Sequence, residues 1–224
     1  MPGSITIINH ELNGDLIGSR YFVAHMAEIW RRHGIDIRMT AGCNFTPADL
    51  AILHVDTSVV ADEYLELGKR YPTALNGKVK DILKTTTSQY LLQKNDIYDG
   101  PVIVKTNANY GGVNEFLIEN ESSNSVIPPS VIDRPWRKRE MMDSLNYPVF
   151  DHPDEVPQGV WKNGRLVVEK FLPERLVNGD YKCRVYLFFG EQEFVSWFSS
   201  PKPVIKSTVA TDMGVLDVVP PALK

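Results

Sequence analysis

The chain is poor in the features that name a function outright. It has two cysteines in 224 residues, Cys43 and Cys183, far apart and in no C-x-x-C. This predicts reduced thiols and a cytoplasmic protein rather than a disulfide scaffold. Its five histidines are scattered, with no H-E-x-x-H and no Cys/His cluster of metal-binding spacing, which argues against zinc. No apolar run approaches the roughly 18 residues of a membrane helix, and the Met1-Pro-Gly-Ser-Ile start lacks a basic, signal-type leader. There is no G-x-x-x-x-G-K-[ST] and no G-x-G-x-x-G, so neither a Walker loop nor the usual dinucleotide turn is present. With a net charge of −4, nothing in the overall balance attracts nucleic acid or an anionic membrane.

The 43% apolar content is enough for a substantial core, in one large domain or two small ones. Residues 4–9, almost all β-branched and apolar, predict a central parallel strand. A helix is expected over 16–33, strands over 35–39 and 49–55, a helix over 60–70, and a short strand at 73–75. This alternation predicts a small open parallel sheet. His54 and Asp56 fall at the carboxyl end of the third strand, where such sheets bind ligands. A solvated strand end is the plainer reading, and it applies equally to Asn13, Asp15 and Arg20. Of these, Arg20 is the better carboxylate clamp, because a guanidinium grips a carboxylate with two donors.

From residue 76 the character changes. Thr85-Thr86-Thr87-Ser88 predicts the cap of a helix over 88–93, with Lys84 just before it. Positive charge beside free helix N–H groups suits a phosphate. Pro101-Val-Ile-Val-Lys105 predicts a buried strand that delivers one lysine, followed by a polar loop ending in Gly111-Gly112. A buried lysine needs an anion, and paired glycines let backbone N–H groups approach one. Residues 115–119 are expected to form a partner strand, 120–134 a loop, and 136–145 a short helix whose Arg137-Lys138-Arg139 is read as a solvated basic face. Asn163-Gly164 predicts a type I′ hairpin over 160–168. A second hairpin is expected from Tyr181 to Phe198, turning at Gly190-Glu191. A parallel first half and a largely antiparallel second half make an α/β chain whose second half is α+β.

The ordered set of Lys84, Val-Ile-Val-Lys105 with Gly111-Gly112, Leu166-Val-Val-Glu169-Lys-Phe-Leu-Pro173 and Asp180-Tyr-Lys-Cys-Arg184-Val-Tyr-Leu-Phe-Phe-Gly190 resembles the ATP-grasp superfamily. The likeness is nearest to carboxylate–amine ligases of the glutathione synthetase and ribosomal-protein glutamate ligase type. It covers about 75–200. It implies an α/β domain over 1–75, a linker and small lobe over 76–172, and the start of a larger, incomplete lobe over 173–224.

On the resemblance alone, Lys84 and Lys105 would hold ATP phosphates, and Asn107 to Gly112 would close over them. By the same likeness Glu169, Lys170, Phe171 and Leu172 would form the hinge that reads adenine, with Glu174 or Asp180 near the ribose. Arg184 would stand at the γ-phosphate and the acyl substrate. The implied reaction is ATP-dependent activation of a carboxylate as an acylphosphate, after which an amine or another nucleophile attacks. The implied partners are ATP, Mg²⁺ and a small-molecule or peptide carboxylate with its acceptor; self-association is open. The family's Glu-x-Asn magnesium motif does not occur after Arg184, and Asp212 and Asp217 are the only acids beyond the second hairpin. No metal ligand is assigned. A truncated, non-catalytic nucleotide binder of the same fold is the alternative, and a plain α/β protein with incidental lysines is the third reading.

Overall fold

The computed structural model describes residues 3–13, 16, 21–120 and 129–216. It divides into two compact units, Met1–Gln89 with Thr106–Val131, and Tyr90–Lys105 with Ile132–Lys224. It is a mixed α/β protein with one parallel and two antiparallel or mixed-order sheets.

The first unit is built on β1 (Ser4–Asn9), α1 (Phe22–Arg32), β2 (Asp36–Ala41), β3 (Leu50–His54), α2 (Asp62–Gly68) and β4 (Ala74–Leu75). The strands form one parallel sheet in the order β2-β1-β3-β4. Ile7 and Ile8 point to opposite faces and are both fully buried, so the sheet is covered on both sides. On one face Ile5 and Ile7 pack with Val23 and Ala27 of α1; on the other, Ile8 and Leu53 pack with Tyr64 and Leu67 of α2. This is the predicted parallel sheet with β1 inside it. Helix α1 runs Phe22–Arg32: Leu16 and Tyr21, inside the helix expected over 16–33, are not helical, and 17–20 lie outside the described residues.

The same unit holds α3 (Lys84–Thr87) and α4 (Val113–Glu119). Two expectations fail here. The helix predicted over 88–93 is absent: α3 is one turn, Ser88 is already extended, and β5 (Leu91–Leu92) follows. Leu91 and Leu92 instead pair as a strand with Glu169 and Val168. The strand predicted at 115–119 is helix α4. Val113, Phe116 and Leu117 recur at helical spacing, and the turn at Gly111-Gly112 redirects the chain into it. In the expected loop at 120–134, α5 (Pro129–Ile132) forms a single turn, while 121–128 lie outside the described residues.

The second unit contains β6 (Val102–Thr106, whose last residue falls to the first unit), β7 (Val149–Phe150), α6 (Gln158–Trp161) and β8 (Leu166–Lys170). Their sheet runs β5-β8-β6-β7 around a core that includes Val102, Val104, Val160 and Val168. The predicted 160–168 hairpin is not formed. Residues 158–161 are a helical turn after Pro157. The Asn163 amide is spent bridging the carbonyls of Trp136 and Arg139, at 2.7 and 2.8 Å. The helix expected over 136–145 shrinks to one 3-10 turn, Trp136–Lys138.

The remaining sheet holds β9 (Glu174–Arg175), β10 (Tyr181–Phe189), β11 (Gln192–Ser200) and β12 (Asp212–Leu216), in the order β12-β11-β10-β9. Strands β10 and β11 pair antiparallel from Tyr181↔Ser200 onward, which is the predicted second hairpin. Asp217 and the terminal 218–224 lie outside the described residues.

Candidate functional site

Strand β6 is buried from Val102 to Val104, then turns partly outward at Lys105, whose side chain keeps 28% of its exposure. Its ammonium meets the carboxylate of Glu169 on β8, Nζ to Oε2 at 2.5 Å, while Glu169 is only 9% exposed. The anion that a lysine at the end of a buried strand requires is therefore supplied by the protein. Leu166, Val167 and Val168 are all buried ahead of Glu169, which anchors the acid from the core side.

The hinge residues come next along β8 and beyond it. The Lys170 N–H donates to Tyr90 O at 2.9 Å and the Phe171 N–H to Pro101 O at 2.8 Å, so both amides are engaged within the unit. The Lys170 ammonium lies 5.0 Å from the centroid of the Tyr98 ring. Phe171 packs against the core and Tyr181. Leu172 is 62% exposed.

On the neighbouring sheet Arg184 forms a two-pronged pair with Glu174, Nε to Oε2 at 2.8 Å and Nη2 to Oε1 at 2.6 Å. The fork of N–H donors from Arg184 holds the Glu174 carboxyl below its ordinary range. Two residues assigned separate roles from the sequence are thus partners of each other. Asp180 closes the turn before β10: its N–H donates to Asn178 Oδ1 at 3.1 Å, its carboxylate accepts from Asn178 Nδ2 at 3.0 Å, and its carbonyl accepts from Leu176 N–H at 2.8 Å. Burial pushes the Cys183 thiol up, opposed by the positive charges of Lys206 and Lys105. That leaves little thiolate at neutral pH.

The first unit gathers the other predicted residues. Lys84 opens α3 and donates from Nζ to the Ala108 carbonyl at 2.8 Å. The Lys84 N–H donates to Asn107 O at 3.0 Å, and Asn107 Oδ1 accepts from both Thr85 N–H and Thr85 Oγ1. The glycine loop is held in turn by Asn109 N–H on Ser58 Oγ at 2.6 Å. Gly111 and Gly112 have φ of 71° and 74°, and Tyr110 a φ of 45°. Three consecutive left-handed residues explain the glycine pair, since a Cβ strains this conformation. Lys84, Asn107, Gly111 and Gly112 are therefore brought into one loop system. Lys105 and Glu169 form a separate pair in the second unit.

Sequence patterns gave no sign of the polar network behind this loop. Ser58, 1% exposed, donates its N–H to Glu115 Oε1 at 2.6 Å, and Asn114 Nδ2 reaches Asp56 O at 2.6 Å. Reading 113–119 as a helix would have shown Glu115 in its first turn. Asp56 accepts the Tyr21 hydroxyl at 2.7 Å, and Tyr21 stands edge-on to His54 at 5.0 Å. Burial and the Asp56 carboxylate raise the Tyr21 hydroxyl well above its ordinary value. The side chains of Asn13 and His54 each bury a nitrogen without a hydrogen-bond partner. Asp15 and Arg20 lie outside the described residues.

Phosphate oxygens suit the chemistry of Lys105. An ammonium has three donors, and one goes to Glu169. Magnesium does not fit equally well. It takes oxygen ligands, chiefly carboxylates, and Glu169 and Glu174 are tied to cations while Asp180 is bonded to Asn178. Among the described residues no group of three or more His, Cys, Asp or Glu could hold a metal ion. Nor is any described helix long and apolar enough to cross a membrane. Comparisons with protein-family models, with curated proteins and with solved structures return no match.

Proposed function

We propose that the second unit binds ATP through Lys105, and that the chain is an ATP-grasp-like carboxylate–amine ligase. The observation that supports this most is the Lys105–Glu169 pair, half in and half out of a buried sheet. The pair holds the lysine in one place while leaving donors for an anion. Under this proposal the base lies beside Leu172, which is exposed. In this reading the γ-phosphoryl group of ATP passes to a substrate carboxylate, ADP departs, and an amine displaces phosphate from the acyl carbon. Such transfers depend on charge neutralisation and alignment. Arg184 serves in it only by exchanging Glu174 for substrate. No step is assigned to Mg²⁺, and a cytoplasmic location goes with the reading.

The alternative is a nucleotide binder without catalysis. The pairing of Arg184 and Glu174 with each other favours it, because neither is then free for chemistry or metal.

Calorimetric titration with ATP, with and without Mg²⁺, tests both. Binding that Lys105→Ala weakens at least tenfold supports the assignment. Binding unchanged in that variant removes Lys105 from the site, and no binding by the parent sinks both readings. ADP release on addition of candidate carboxylates and amines separates ligase from binder. Lys84→Ala and Gly112→Ala test the glycine loop on its own.

A further inference from the structure

Away from the Lys105 pair, the second unit carries a groove of about 490 Å³ lined by Arg134, Arg137, Lys138, Arg139 and Arg165, with Glu140 the one acid among its charged residues. Five cations against one carboxylate is a steep local excess in a chain of net charge −4. Glu140 is ion-paired with Arg134. Asp133, outside the lining, acts electrostatically on Arg139. Among the described residues Arg137 and Lys138 have no carboxylate partner, and both are exposed. Converging like charges repel, so the arrangement is costly unless an anion relieves it.

The groove is also held in shape. The Arg139 guanidinium stacks 4.0 Å from the centroid of the Trp136 ring and donates from Nε to Arg134 O at 3.0 Å. The Asn163 amide clamps the carbonyls of Trp136 and Arg139. Gly159 lets α6 press on the same segment: a Cβ there would lie 2.9 Å from Trp136 Cβ and 3.0 Å from Arg137 N.

We propose that this groove is a binding site for a small molecule carrying two or more phosphate groups. Arg137 and Lys138 bring the donors that no carboxylate takes up, and a guanidinium offers a planar fork that matches phosphate oxygens two at a time. The volume falls in the range of roughly 300–1,000 Å³ that small ligands occupy. The site is separate from the one proposed for ATP and does not depend on it.

The test is calorimetric titration of the full chain with inorganic tripolyphosphate at about 0.15 M salt, where exposed charges more than a Debye length apart are screened. The chains compared are the parent, Arg137→Ala/Lys138→Ala, and Lys105→Ala. Arg137 and Lys138 are exposed, so their loss spares the core. A tripolyphosphate site that is weakened at least tenfold in the double variant and still present in Lys105→Ala, whatever that variant does to binding at the ATP site, is the expected result. Four outcomes overturn the proposal: no binding by the parent; binding lost in Lys105→Ala but kept in the double variant; citrate binding as tightly as tripolyphosphate; or a single-stranded oligonucleotide binding more tightly through the same residues. The last two would make the groove a general anion surface or a nucleic-acid site.

Discussion

Lys105 Nζ stands 2.5 Å from Glu169 Oε2, the lysine partly exposed and the glutamate almost wholly buried. The two members of the pair therefore have unequal needs. Lys105 could turn to solvent if its partner were lost, whereas Glu169 would be left as a buried carboxylate short of its lysine.

From that asymmetry, Lys105→Met should destabilise the second unit by about 1–3 kcal/mol, the cost of removing one partner from a mostly buried charged pair. The change Lys105→Met/Glu169→Leu should restore most of it, because apolar replacement of both partners removes the buried charge. Urea unfolding of the two variants checks this. A double variant no more stable than the single one would show that the pair is not the source. Sequence alone suggests that alanine at 105 leaves the fold nearly untouched, because nothing in it marks Glu169 as the partner.

The Arg184–Glu174 pair should make stability depend on acid. Glu174 has a folded-state pKa below its ordinary value of 4.5. Its contribution is therefore complete above pH 4.5 and is lost as pH falls through the lower folded value. Both side chains are about a third exposed or more, so solvent screening limits the effect to about 0.5–1 kcal/mol. In Arg184→Gln the urea midpoint should fall less than in the parent when the solution is taken from neutral to acid well below the ordinary carboxylate range. Equal slopes would mean that the pair contributes nothing in solution.

Tyr64, 2% exposed on the buried face of α2, has its hydroxyl pushed up to about 12, mainly by burial. A tyrosine raised from 10 is protonated in the fold at pH values where the unfolded chain ionises. Stability from this source is full below pH 10 and is lost as pH rises toward 12. Absorbance titration of the phenolate band should show late-ionising tyrosines, Tyr21 and Tyr64 among them, and Tyr64→Phe should remove one of these. If all tyrosines ionise together near their ordinary value in the folded protein, the burial argument fails.

Gly111 and Gly112 should each resist alanine. A Cβ in the left-handed region costs about 1–2 kcal/mol, and both φ values lie there. Gly111→Ala should lower the thermal midpoint measured by circular dichroism. Tyr110→Gly should leave it unchanged or raise it, since it relieves the same strain at a φ of 45°. The reverse order would place the strain elsewhere.

Much of the first unit is legible in the chain without coordinates. The apolar run from Ile5 to Ile8 could only be a strand covered on both faces, and α1 and α2 follow from spacing, while α3 and α4 do not. The 181–198 hairpin is equally plain, because Gly190 marks its turn. The failures share a cause. At 163–164 the Asn-Gly pair matches a tight turn, but the Asn163 amide has carbonyls of Trp136 and Arg139 to satisfy, which lie 24 or more residues earlier. At 88–93 the choice between helix and strand is made by β8, which lies far along the chain.

The candidate site divides in the same way. Lys105 and the glycine pair can be singled out from the chain by residue type and local order, whereas Glu169 and Arg184 enter only through the likeness to the ATP-grasp superfamily. Which of them meet cannot be read in either way. That Lys105 holds Glu169, that Arg184 holds Glu174, and that Lys84 caps a carbonyl of the glycine loop depend on groups distant in sequence. Periodicity and turn chemistry act over a few residues, so local sequence is enough to fix the parallel sheet, the long hairpin and the left-handed loop. Ion pairs and amide clamps form only after strands have taken their neighbours, and those choices belong to the tertiary structure.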